Sequence, residues 1–157
     1  MYSDPHPYTT TDLSLGKRPH ACVVTIFGAS GDLTKRKLIP ALYNLAFEKR
    51  LPERFAVVGY ARSEMSHEAF RQKMREAVSE FSRTGLKDPA VWDQFASTLY
   101  YVQGDYDRSE GYERLKEFIT GFDHGSRVLP VRVFYLATPP DLYGMVIQNI
   151  AAVGLSL

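Results

Sequence analysis

Three short segments carry residue types suited to gripping a phosphorylated nucleotide. The first is Gly28-Ala29-Ser30-Gly31-Asp32-Leu33, which lies between an apolar run and a helical pattern. A backbone that approaches a diphosphate closely needs glycine: Gly28 for the tight turn off a strand, Gly31 where a Cβ would intrude on phosphate. A helix beginning there aims unpaired N–H groups and the positive end of its dipole at the anion. Ser30 adds a hydroxyl donor. The spacing is G-x-x-G, whereas the usual dinucleotide fingerprint is G-x-G-x-x-G, so the strand–turn–helix setting carries the inference.

The second segment is Val57-Val58-Gly59-Tyr60-Ala61-Arg62-Ser63. NAD binders place a carboxylate at the end of the second strand for the ribose hydroxyls, roughly 20 residues past the glycines. Here that place offers Arg62 and no carboxylate. A guanidinium presents a planar donor fork suited to a 2′-phosphate, which favours NADP over NAD. Arg62 lies 31 residues past Gly31, so the first helix and its loop must be long. The third segment, Ala137-Thr138-Pro139-Pro140-Asp141-Leu142-Tyr143, ends a strand in two prolines. In doubly wound sheets ligands sit outside the carboxyl ends of strands, so this is a rigid shelf beside the ligand, with Tyr143 one turn into the next helix.

Other chemically able residues read as structural. Cys22 sits in an apolar strand and is expected to be core. His6, His20, His67 and His124 share no metal-ligand spacing, so no metal site is predicted. Asp105 and Asp107 flank Tyr106 where a turn or cap is expected. The run Lys35-Arg36-Lys37 and the pair Lys49-Arg50 read as solvated helix faces, although the first lies near the proposed phosphates. Trp92 and the many tyrosines read as packing.

These segments need a scaffold, and the pattern supplies one. Apolar runs at Cys22–Phe27, Phe55–Gly59, Thr98–Gln103 and Val131–Ala137 predict four strands. Between them, Leu38, Leu42, Leu45 and Ala46 form one helical stripe. Phe70, Met74, Ala77, Val78 and Phe81 form a second, with Ser66 as its cap. Asp88-Pro89 opens a third helix towards Val91, Trp92 and Phe95. Tyr112, Leu115, Phe118 and Ile119 follow Ser109, and Leu142, Val146, Asn149, Ile150 and Val153 follow Asp141. Pro40 falls inside the first stripe and should kink or delay that helix. Strict alternation predicts an α/β fold, a Rossmann-like doubly wound parallel sheet with right-handed crossovers. A strand is due where the chain stops, so the sheet is expected to be incomplete on its C-terminal side and the sequence to be part of a longer protein. The expected organisation is a flexible tail over 1–20 and a partial coenzyme domain over 21–157.

Bulk properties narrow the partners. The 157 residues carry a net charge of +1, 45% hydrophobic and 24% charged residues, a globular balance with no general call for nucleic acid or an anionic membrane. No run of about 18 apolar residues is present, so no membrane-spanning helix is predicted. Met1–His20 lacks the apolar core of a secretory signal. A single cysteine precludes an internal disulfide and fits a reducing, cytoplasmic compartment.

Taken together, the motifs resemble a known family. Gly28-Ala29-Ser30-Gly31-Asp32-Leu33-Thr34-Lys35-Arg36-Lys37-Leu38-Ile39-Pro40-Ala41-Leu42 resembles the opening motif of glucose-6-phosphate dehydrogenases. Gly59-Tyr60-Ala61-Arg62-Ser63, Gly104-Asp105-Tyr106-Asp107 and Tyr135-Leu136-Ala137-Thr138-Pro139-Pro140 resemble three further signatures, in order. The resemblance implies NADP-dependent oxidation of glucose 6-phosphate to the 6-phosphogluconolactone, the entry to the oxidative pentose phosphate pathway, by a homo-oligomeric complete enzyme. It implies that Gly28, Ser30, Gly31, Asp32 and Leu33 form the coenzyme turn and that Arg62 holds the 2′-phosphate. It also implies that Lys37 sits near nicotinamide and substrate, and that Thr138, Pro139 and Tyr143 line the coenzyme side. Thr138 stands where the family often has Leu, and Pro40 matches the family. The family's Glu-Lys-Pro and His-Tyr-Leu-Gly-Lys segments, the second with the general-base His, do not occur here, so no catalytic residue is expected in this chain. A non-catalytic NADP-binding module, sensor or scaffold, is the alternative. A short-chain reductase would need a Tyr-x-x-x-Lys pair that residues 136–157 lack.

Overall fold

Four β-branched, apolar runs become four parallel strands: β1 (Cys22–Phe27), β2 (Phe55–Ala61), β3 (Leu99–Gln103) and β4 (Val131–Leu136). They come from a computed structural model that describes residues 20–125 and 129–156. The predicted tail, Met1–His20, lies outside these residues apart from His20. The strand order is β3-β2-β1-β4, with Cys22 level with both Phe55 and Val131, and Val57 level with Leu99. The chain moves outward from β1 through β2 to β3, then returns to β1's other side. That reversal is the topological switch point of a doubly wound sheet, and it opens the crevice between the carboxyl ends of β1 and β4.

Helices cover both faces. On one lie α1 (Ile39–Phe47), α2 (His67–Phe81) and α3 (Pro89–Ala96). Ile39, Tyr43, Phe70, Met74, Trp92 and Phe95 bury there against Ile26, Val57 and Leu99. On the other lie α4 (Ser109–Thr120) and α5 (Tyr143–Ala152), whose Tyr112, Leu115, Ile119, Val146 and Ile150 bury against Phe27, Val58 and Tyr60. Each such side chain contributes roughly 1.5–3 kcal/mol by leaving water. The caps follow the sequence: Ser66 Oγ accepts from the Ala69 N–H at 3.0 Å, and Asp88 Oδ1 from that of Ala90 at 3.0 Å, with Pro89 opening α3.

The first helix departs from its expected phase. Thr34–Leu38 forms one wide π turn, closed by a bond from the Ile39 N–H to the Thr34 carbonyl. Pro40 explains it. Its nitrogen has no hydrogen, and its ring would collide with the carbonyl four residues back, so a wider turn relieves both demands. The extra residue rotates the helix by about 100°. The deepest positions are therefore Ile39, Pro40 and Tyr43, one place beyond Leu38 and Leu42, which are only half-buried with Leu45 and Ala46. Cys22 is likewise half-buried at the start of β1, not core, and partial burial pushes its thiol pKa up. No helix among the described residues is long and apolar enough to cross a membrane.

Candidate functional site

The glycine turn lies at the switch point. Gly28 has φ of +90°, which favours glycine, and a Cβ there would stand 2.6 Å from the Ala137 carbonyl oxygen. The backbones leaving β1 and β4 are thus in direct contact across the crevice. The turn is anchored from below: the N–H groups of Gly28 and Ala29 both donate to the Tyr60 carbonyl, at 3.0 and 3.2 Å. It is closed from within: the Gly28 carbonyl accepts from the Gly31 N–H at 3.0 Å and the Thr34 hydroxyl at 3.1 Å. Gly31 is small for this internal reason, since a Cβ would press the Gly28 carbonyl at 3.2 Å. Thr34 carried no signal beyond its place six residues past Gly28, yet it is fully buried and ties the helix start to the turn.

What remains open is polar backbone. The first helical bond runs from the Lys35 N–H to the Gly31 carbonyl, at 3.4 Å. Among the described residues no acceptor pairs with the N–H groups of Ser30, Asp32 and Leu33. All three residues are exposed. Unpaired amides in a helix's first turn form a ready anion site. Asp32 lies 4.0 Å from Arg36, which also stands over the Phe81 ring at 4.8 Å. Lys37, on the π turn, is exposed to solvent.

Arg62 directly follows β2, and its guanidinium has no hydrogen-bond or ion-pair partner among the described residues. Its backbone is fixed instead: the Gln103 amide donates to the Arg62 carbonyl at 3.0 Å. Across the crevice Thr138 is 8% exposed, and its hydroxyl has no partner. A buried unpaired hydroxyl is costly, roughly 1–3 kcal/mol. Pro139 and Pro140 are exposed, and Tyr143 is the first residue of α5, after a 3₁₀ turn over Pro140–Leu142. The structure therefore gathers Gly28, Ser30, Gly31, Asp32, Leu33, Thr138 and Pro139 at one mouth, with Arg62 at the end of the neighbouring strand. A cavity of about 290 Å³ lies elsewhere, lined by Ala46, Leu51, Phe55, Val91 and Phe95 near the start of β2.

Asp105 and Asp107 follow β3 beside this mouth. Neither caps α4, whose preceding residue is Arg108, which makes no capping bond and lies 3.9 Å from the Asp105 carboxylate. Their loop is held through its carbonyls: the Tyr60 hydroxyl donates to Asp105 at 2.8 Å and the Tyr112 hydroxyl to Tyr106 at 2.9 Å. Burial pushes the Tyr112 phenol up to about 12 and raises that of Tyr60. Burial raises Tyr106 too, while the Gly28 backbone and the Arg62 charge draw it back. Sequence reasoning missed Tyr60 and Tyr112, because tyrosines in apolar patterns read as packing. Among the described residues no three His, Cys, Asp or Glu side chains are placed to hold a metal ion.

The comparisons with known proteins point one way. Residues 25–157 match the family model described as glucose-6-phosphate dehydrogenase, NAD binding domain. The glucose-6-phosphate 1-dehydrogenase of Chlamydia muridarum is 46% identical over 129 residues, 82% of this chain and 25% of that protein. That of Kluyveromyces lactis is 43% identical over 122 residues, 77% of this chain and 24% of the relative. A glucose-6-phosphate dehydrogenase solved with its substrate glucose-6-phosphate superposes with a TM-score of 0.79 at 38% identity, covering 89% of this chain and 29% of that one. The Mycobacterium avium enzyme gives 0.73 at 29% identity, over 87% and 28%. The chain thus spans about a quarter of the length of these curated relatives. On this likeness in sequence and in fold, the chain belongs to the glucose-6-phosphate dehydrogenase family and carries that family's NAD-binding domain.

Proposed function

We propose that this chain supplies the coenzyme half of an NADP-dependent oxidation of glucose 6-phosphate to its lactone. The observation that supports this reading best is the set of unpaired amides at Ser30, Asp32 and Leu33, in the turn that leaves β1 at the switch point. Those amides and the helix dipole bind the diphosphate. Gly28 and Gly31 allow the tight turn that presents those amides. The free Arg62 fork takes the 2′-phosphate, with charge-assisted bonds stronger than neutral ones. Thr138, Pro139 and Tyr143 line the other wall, and the Thr138 hydroxyl gains the polar partner it lacks. NADP held by these residues would supply the acceptor for a hydride from C1 of the sugar. This chain's contribution is orientation and electrostatics, with Lys37 towards the nicotinamide and substrate side.

Isothermal titration of NADP⁺ and NAD⁺ into the chain tests the assignment. Arg62→Ala should weaken NADP⁺ by about 10- to 100-fold, the loss of a charge-assisted pair of roughly 1.5–3 kcal/mol, and NAD⁺ by less than about twofold. Equal losses would remove Arg62 from the 2′-phosphate site. The 157 residues include no His-Tyr-Leu-Gly-Lys general-base segment, so this polypeptide alone should form no NADPH from glucose 6-phosphate.

A further inference from the structure

The segment Gly104-Asp105-Tyr106-Asp107 contributes none of the coenzyme-site residues, yet the fold is built closely around it. Tyr60 links it to the glycine turn. The Tyr60 main-chain carbonyl receives the Gly28 and Ala29 amides. Its side chain crosses to the far side of β2, where the hydroxyl donates to the Asp105 carbonyl at 2.8 Å. The ring lies 5.1 Å from Phe27, 5.3 Å from Tyr112 and 5.8 Å from Tyr106. Tyr112 adds a second pin, donating to the next carbonyl, that of Tyr106, at 2.9 Å. Both pinning tyrosines are fully buried. Space has been cleared for the first of them. A Cβ on Gly104 or on Gly111 would land on the Tyr60 hydroxyl, so one phenol requires two glycines, one in the loop and one in α4.

We propose that Tyr60 and Tyr112 are positioning residues for the coenzyme site: their hydroxyls hold consecutive carbonyls of the 104–107 loop and set it, the glycine turn and Arg62 against one another. The inference rests on the coenzyme reading and extends it to selectivity. Arg62 is two residues past Tyr60, and its carbonyl is bonded by Gln103, the residue before Gly104. Loop and guanidinium therefore share one backbone frame. Tyr106 rides on the loop and senses both the Gly28 backbone and the Arg62 charge. Misplacement of reacting or binding groups by about 1 Å is costly. A loop released from its pins should thus blunt the recognition of the 2′-phosphate more than that of the diphosphate.

The experiment titrates NADP⁺, NAD⁺ and 2′,5′-ADP into the 157-residue chain and its variants, with thermal unfolding of the ligand-free proteins alongside. Tyr60→Phe keeps the ring and removes one hydroxyl. It should weaken NADP⁺ and 2′,5′-ADP by about 5- to 10-fold while NAD⁺ stays within about twofold. Tyr112→Phe should do the same to a smaller extent, and it decides the matter if Tyr60→Phe does not fold. A merely structural role would lower the unfolding midpoint and leave the NADP⁺ to NAD⁺ ratio unchanged, and that outcome overturns the proposal. If the parent chain binds NADP⁺ selectively and the variants match it, only this proposal falls. If the parent binds neither coenzyme, the coenzyme reading falls first and this one with it.

Discussion

The two edges of the sheet are finished in opposite ways. Along β3 the outward backbone is closed by side chains. Arg71 donates to the Leu99 carbonyl at 2.8 Å, His67 Nδ1 accepts the Tyr101 N–H at 2.9 Å, and Arg114 donates to the Gln103 carbonyl at 2.8 Å. Along β4 no described side chain meets an outward backbone group, and Val131, Val133 and Tyr135 stand 53%, 41% and 42% exposed. β4 has as many apolar residues as β1, five of six in each. The difference is coverage: α1 to α3 cover Ile26, Val57 and Leu99 but stop short of the β4 residues on that face. Only the opposite face of β4 is tied down, with Phe134 and Leu136 against the core and Arg132 paired with Asp123 at 2.9 Å. Strand composition states what a strand can bury. Helix placement decides what it does bury.

The sharpest way to break this contrast is to truncate one residue on each edge. Leu99→Ala removes a fully buried side chain and should cost about 3 kcal/mol, within the roughly 2–5 kcal/mol seen for such cavities. Val133→Ala, at a position 41% exposed, should cost less than about 1 kcal/mol. Urea unfolding of the two variants measures both. Equal losses would show that the edges are held alike.

Much of this was legible in the residues. The strand run ending in Gly28, the helix-opening pairs at Ser66 and Asp88, and the arginine after β2 are local signals, and each stands where its pattern put it. What was hidden depends on other parts of the chain. One wide turn, imposed by Pro40, shifted the burial of α1 by a residue, and periodicity assumes a fixed period. The Tyr60 and Tyr112 hydroxyls act on carbonyls brought near only by folding. The Thr34 hydroxyl and the Ala137 backbone shape the glycine turn through contacts that exist only once the chain has folded. The exposed face of β4 was unreadable because an apolar run does not say which helices will reach it.

The closed edge should also be sensitive to acid. His67 holds the Tyr101 amide as a neutral acceptor, edge-on to Tyr100 at 5.5 Å. Burial first, then the Arg71 charge, lower its pKa below 6.5, while Glu68 opposes them. Arg114 and Glu117 of α4 border the same groove. A folded pKa below the unfolded one means that the unfolded chain binds the proton more readily. This contribution to stability is full above about pH 6.5 and is lost as pH falls through the lowered value. The unfolding midpoint should therefore drop between about pH 7 and pH 5, and His67→Gln should flatten that slope. The effect is smaller than that of Leu99→Ala, because the imidazole is only partly buried. An imidazole that titrates by NMR at or above its ordinary value would remove the latch.

The open edge should show its character in association more than in stability. An uncovered strand with unpaired backbone and apolar side chains is a template for pairing with another strand. Tyr135→Lys places a charge on the exposed face of β4 without touching the core, so folding should change by less than about 0.5 kcal/mol. Sedimentation velocity over a concentration series should nonetheless separate parent and variant, with the parent shifting to larger species and the lysine variant resisting it. At the closed edge the backbone is already occupied by His67, Arg71 and Arg114, so the corresponding change Gln103→Lys should leave association where it was. Equal behaviour of the two lysine variants would mean that β4 is not the edge through which the chain associates.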